Sequence, residues 1–113
     1  MVNYWRLAEN RIFYVDYEID ESIMELQRAI LSINIADAGK SVSDRKKIIV
    51  MINSPGGLLT ETMSVAMSMV TSVTPVITVN VGAAYSGGAL LLLAGHERYA
   101  FKYAKTMLHT GST

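Results

Sequence analysis

The chain has 113 residues, half of them apolar, with 10 basic and 10 acidic side chains and no cysteine. One domain of this length buries about 65% of its unfolded surface, and zero formal charge speaks against nucleic acid, whose phosphates call for clustered Lys and Arg. Absence of cysteine removes disulfides, thiolate catalysis and Cys-based zinc sites, and fits a reducing, cytoplasmic setting.

Met1 to Glu9 is mixed polar and aromatic, not the basic-then-apolar order of a secretory signal. Ile12 to Val15 is a short β-branched and aromatic run that predicts a first strand. Ser22 stands three residues before Glu25, a capping-box spacing, and opens a helix whose stripe is Ile23, Leu26, Ile30 and Ile33, ending near Asn34. Ala36 to Asp44 is a polar connection. Arg45-Lys46-Lys47 reads as the solvated lip of the next strand, Ile48 to Ile52, whose unbroken apolar run predicts a parallel strand covered on both faces.

Asn53-Ser54-Pro55-Gly56-Gly57 stops that strand, and Thr60 to Val73 predicts a second helix with Met63, Ala66, Met67 and Val70 on one face. Val76 to Val81 is a strand started by Pro75, Gly82 to Gly88 a turn, and Ala89 to Ala94 a short buried helix. Tyr99 to Phe101 and Thr106 to Leu108 read as short strands. Val81 to Gly95 is the most membrane-like stretch, but it is shorter than the ~20 residues of a spanning helix and glycine-broken. The alternation of strand and helix predicts an α/β fold, a mostly parallel sheet flanked by helices with right-handed crossovers.

In such sheets, sites form at the carboxyl ends of strands, where both glycine-bearing turns fall. Ser86, in Tyr85-Ser86-Gly87-Gly88, stands at a strand-to-helix turn. There a hydroxyl is exposed beside unpaired helix-terminal amides that can hold an oxyanion. The plain alternative is a serine N-cap. Asn53 to Gly57 offers either an ordinary Pro-Gly turn or a second oxyanion donor, with Gly57 the candidate and Gly56 permitting the backbone conformation. A serine nucleophile needs a base near pH 7, and His109, after the last strand, can supply it or can be structural. His96 lies in a polar turn.

Other patterns fail. Gly39-Lys40-Ser41 lacks the earlier glycine and preceding strand of a phosphate loop. The seven methionines read as core filler on helix faces, and two histidines without a carboxylate cluster make a poor metal site, so no cofactor is expected.

The runs Ile52-Asn53-Ser54-Pro55-Gly56-Gly57, Gly82 to Ala89 with Leu91-Leu92-Leu93-Ala94-Gly95, and Met107-Leu108-His109 together resemble the proteolytic subunit of the Clp proteases, including phage-borne relatives. Three motifs stand in that family's order at nearly its spacing, over roughly Arg11 to His109. The resemblance implies a crotonase-like αβ spiral and a serine endopeptidase acting on unfolded polypeptide. It further implies seven-membered homo-oligomeric rings, served by an ATP-dependent unfoldase that consumes the ATP itself, with no nucleic acid or membrane partner. By position, Ser86 is the nucleophile, His109 the general base, and Gly57 and Gly87 the oxyanion-hole donors.

Departures are visible too. The family's aspartate comes well after the histidine, but only four residues follow His109, so that residue and the ring-joining handle have no counterpart. The expectation is a single peptidase domain over 1–113, truncated before both; loss of the orienting carboxylate costs on the order of 10⁴ in turnover. Lys102 stands where the family usually has proline, and the loop after Gly95 looks shorter. Three alternatives stay open: a non-catalytic ring subunit, a crotonase-type acyl-CoA enzyme, and a serine/lysine dyad using Lys102 or Lys105. Met1 to Asn10 has the family's place for an axial entrance loop.

Overall fold

The structure, a computed structural model, describes residues 5–108; His109 therefore lies outside the described residues. Helix α1 (Trp5–Glu9) precedes β1 (Ile12–Val15), whose bounds match the apolar run. A 3₁₀ turn, Glu21–Ile23, leads into α2 (Met24–Ala36). Asp20, not Ser22, caps this start: its carboxylate accepts from the Ser22 backbone N–H at 2.9 Å and from the Ser22 hydroxyl. The 3₁₀ turn displaces the cap upstream of the capping-box position. After a second 3₁₀ turn, Val42–Asp44, come β2 (Ile48–Ser54), α3 (Leu59–Thr71) and β3 (Val76–Tyr85). Helix α4 (Gly87–Leu93) and strands β4 (Glu97–Ala100) and β5 (Lys105–Met107) follow.

All strand pairings are parallel, in the order β1-β2-β3-β4, with Phe13 beside Val50, Val50 beside Thr78 and Thr78 beside Arg98. Strand β3 is long enough to pair β4 with its first half and β5 with its second, Ala84 lying beside Thr106. It therefore runs through Gly82 and Ala83, which the sequence suggests are a turn. The carboxamide of Asn53 explains the extension: it accepts from the Ala83 N–H at 3.0 Å where the β2–β3 register slips between Ile52 and Ser54.

One apolar cluster joins Ile48, Val50 and Ile52 of β2 to Leu26 and Ile30 of α2, Val65 and Met69 of α3, and Leu91 of α4. Alternate residues of the sheet, Ile49 and Met51 with Ile77 and Val79, are only half-buried. The helices α2 to α4 thus flank one face, and the two-sided cover read from the apolar run of β2 is absent among the described residues. Helix α3 also turns differently from the sequence reading. Thr62, Val65, Ala66 and Met69 face the core, while Met63, Met67 and Val70 are exposed. Thr62 tolerates burial because its hydroxyl donates to the Leu58 carbonyl at 2.6 Å. Among the methionines, Met69 is fully buried, whereas Met63, Met67 and Met107 are exposed and are not core filler. No described helix is long and apolar enough to cross a membrane.

A buried ion pair ties the far end of the sheet. Arg11 donates two hydrogen bonds, at 2.7 and 2.8 Å, to the carboxylate of Asp37, whose side chain is 1% exposed. The Thr74 hydroxyl adds a third at 2.8 Å. Chiefly through the Arg11 hydrogen bonds, and against the desolvation of its burial, the Asp37 carboxyl is held well below the usual carboxylate range. His96 is likewise structural: Nδ1 accepts from the Val76 N–H at 2.9 Å, and Nε2 lies 3.2 Å from the Val70 carbonyl oxygen.

Candidate active site

Because the strands are parallel, β2 and β3 end at the same edge of the sheet, and two backbone corners meet there. The first corner is Pro55-Gly56-Gly57. Ser54 is buried at its base, donating its hydroxyl to the Tyr17 carbonyl at 2.7 Å and accepting from the Gly56 N–H at 3.1 Å. Gly57 forms a parallel bridge with Ile19: the Ile19 N–H bonds the Gly56 carbonyl at 2.7 Å, and the Leu58 N–H bonds the Ile19 carbonyl at 3.0 Å. In that pattern the N–H of Gly57 itself faces away from Ile19. A side chain at 57 would collide with the Ile19 carbonyl, so glycine is required by close approach.

The second corner is Tyr85-Ser86-Gly87. Ser86 has φ +53° and ψ −116°, one of two non-glycine residues with positive φ among the described residues. A strained serine at a sharp strand-to-helix turn is the geometry that lifts a nucleophile clear of its backbone. Its hydroxyl makes no capping hydrogen bond to α4, so the N-cap alternative does not hold. The backbone is tied down instead. The Ser86 N–H donates to the Met107 carbonyl at 2.9 Å, and its carbonyl accepts from the Leu90 N–H at 3.1 Å.

The corners touch through Gly56. A Cβ built there would stand 2.8 Å from the Gly87 nitrogen, 2.9 Å from the Tyr85 carbonyl oxygen and 3.0 Å from the Ser86 Cβ. Glycine at 56, with φ +102°, thus makes the turn and leaves room for the nitrogen of Gly87, which is buried at this contact. A Cβ at Gly88 would stand 2.7 Å from the Ser54 carbonyl oxygen, and one at Gly87 3.2 Å from the Thr62 hydroxyl. Among the described residues, the amides of Gly57 and Gly87 donate to no backbone or side-chain acceptor. Two free donors beside an uncommitted hydroxyl are what stabilisation of a tetrahedral oxyanion demands.

A family model for Clp protease matches residues 2–113. The chain belongs to the Clp protease family. Members are, in general, serine peptidases, and the parallel α/β sheet flanked by helices agrees with the Clp fold. Of the residues assigned by resemblance to the Clp proteases, Ser86 and Gly87 share one corner, and Gly57 follows the glycine that contacts it. His109 is outside the described residues. Among the two alternative bases, Lys102 lies with its ammonium 5.4 Å from the centre of the Tyr103 ring, and Lys105 is an exposed residue of β5 beside Ala83. Two clefts of about 470 and 330 Å³ flank β1, and neither is lined by the Ser86 corner.

Sequence reasoning missed two carboxamides. Asn53 holds the β3 extension, and Asn80, fully buried, bonds to β5. The signal for the second was present: one amide inside the apolar run Val76 to Val81.

Proposed function

We propose that this chain is the peptidase subunit of an ATP-dependent Clp-type complex, hydrolysing peptide bonds of unfolded polypeptide with Ser86 as nucleophile and His109 as general base. The observation that carries the reading is the strained, uncapped Ser86 beside free Gly57 and Gly87 amides. Chain length supports the base. Met107, whose carbonyl is 2.9 Å from the Ser86 nitrogen, precedes His109 by two residues, a Cα span of at most about 7 Å.

The chemistry follows in two half-reactions. The Ser86 hydroxyl attacks the scissile carbonyl carbon while His109 accepts its proton. The carbonyl oxygen, now negative, takes hydrogen bonds from Gly57 and Gly87. Collapse breaks the C–N bond, and His109 gives its proton to the leaving amine. Water then attacks the acyl-serine by the same route, releasing the new carboxylate and restoring the hydroxyl. The chain needs no metal or cofactor for these steps; ATP is consumed by the partner unfoldase. A nucleophile bent into positive φ favours this reading over a chamber-only subunit or an acyl-CoA enzyme, neither of which uses a serine hydroxyl.

Hydrolysis of a fluorogenic peptide by the assembled complex tests it. Ser86→Ala and His109→Ala are each expected to lower kcat by about 10²-fold, with the double variant no worse than either alone. Unchanged turnover in Ser86→Ala would remove the assignment.

A further inference from the structure

Asn80 has no part in the steps above, yet it is completely buried in the middle of β3. A carboxamide in an apolar strand costs about 1–3 kcal/mol if its groups go unpaired. Every one is paired here. Nδ2 donates to the Lys105 carbonyl and to the Thr106 hydroxyl, both at 2.9 Å, and Oδ1 accepts from the Gly82 N–H at 3.1 Å. Strand β5 otherwise has little to hold it. It is three residues long, exposed along its whole length, and among the described residues pairs only with Ala83–Tyr85 at the sheet edge. Asn80 grips its first two residues, and the Ser86 N–H grips the carbonyl of its last.

We propose that Asn80 is a positioning residue: by bonding Lys105 and Thr106 it fixes how far β5 advances along β3, and so where the chain delivers His109 to Ser86. The inference rests on Ser86 and His109 acting as nucleophile and base. A slip of β5 by a fraction of its repeat leaves the core intact but moves the base, and a misplacement of about 1 Å can cost 10²-fold in rate. Leucine keeps the branched four-atom outline of asparagine with bulkier methyl ends, and Asn80→Leu removes both donors together with the acceptor for the Gly82 N–H. Thr106→Val keeps its shape and removes one acceptor. Thr78→Val is the control, since Thr78 is buried on the same strand but bonds the Leu92 carbonyl at 2.7 Å, away from β5.

The experiment measures phosphonylation of Ser86 by a fluorophosphonate probe in the full chain, followed by mass spectrometry at several probe concentrations. The amplitude reports how much chain is folded; the limiting rate reports the corner; the half-saturating concentration reports probe binding. Asn80→Leu should keep wild-type amplitude and half-saturation while its limiting rate falls about 10- to 100-fold. Thr106→Val should fall by a smaller factor and Thr78→Val not at all. Wild-type rate in Asn80→Leu overturns the proposal and leaves the serine–histidine reading standing. If that variant shows no amplitude, Thr106→Val decides, an unchanged rate overturning the proposal. Should His109→Ala label as fast as the wild type, the base assignment fails and the proposal with it.

Discussion

Ser86 occupies a conformation that an ordinary residue reaches only at a cost of about 1–3 kcal/mol. Among the described residues its side chain does not repay that strain, because the hydroxyl makes no cap to α4. The compensation is tertiary: the Met107 carbonyl receives its N–H, and Gly56 leaves the space its Cβ needs. Strain of this kind predicts an order of stabilities opposite to the order of activities. Ser86→Ala removes the nucleophile but keeps a Cβ in the strained region, whereas Ser86→Gly removes both. Glycine loses about 0.5–1 kcal/mol through the greater freedom of its unfolded chain. The relief at positive φ exceeds that penalty, so Ser86→Gly should be more stable than Ser86→Ala by about 1 kcal/mol, with both inactive. Denaturant titration of the two variants checks this, and equal midpoints would mean that the corner stores no strain.

Among the elements, those governed by local pattern were legible in the sequence. Ile12–Val15 is apolar and bounded by polar residues, and it is β1 to the residue. The β2 and β3 cores and the helical character of α2, α3 and α4 were readable for the same reason. What failed depended on partners distant in the chain. Helix α3 carries apolar residues on two sides, and only the presence of α2 and α4 selects Val65 and Met69 over Met63 and Met67 for burial. Strand β3 continues past Val81 because Asn53 and β5 pair with it, which no window around Gly82 contains. At the site, the two glycine corners were legible as motifs, but their contact through Gly56 and the grip of Asn80 are long-range. The Arg11–Asp37 pair shows the same dependence, linking the start of β1 to the end of α2 and to Thr74. Its carboxyl, held well below the usual range, binds protons more weakly folded than unfolded. The stability it contributes is therefore fully present above the unfolded value near 4 and is lost as pH falls toward the folded value. The stability gap between the wild type and Asp37→Ala should stay constant from about pH 7 to 5 and shrink below about pH 4. Urea titrations at stepped pH measure it; a gap independent of pH would show that the pair does not shape the titration.

For the molecule as a whole, the unresolved matter is the apolar surface left outside the core. Single exposed apolar residues are ordinary, but a continuous helical row of them marks an interface. Leu59, Met63, Met67 and Val70 follow one another at spacings of four, four and three along α3, and all are exposed, Met67 at 55%. Clp proteases generally form oligomeric rings, and a formal net charge of zero offers no self-repulsion to oppose assembly. If this chain forms rings as its family generally does, a second copy would cover this row. Met67 is central to the row and free of the core, so Met67→Glu should leave the monomer fold unchanged while placing a charge in the contact. Burial of one such side chain is worth about 1.5–3 kcal/mol, so losing it weakens each contact about 10- to 100-fold before the cost of a buried carboxylate is added. In sedimentation velocity at micromolar concentration, the wild type should run as a multimer and Met67→Glu near the 12.4 kDa mass of one chain, with matching circular dichroism. A variant that assembles like the wild type would place the ring contact elsewhere. The half-buried face of the sheet around Ile49, Met51 and Val79 would then become the surface to which the same test is applied.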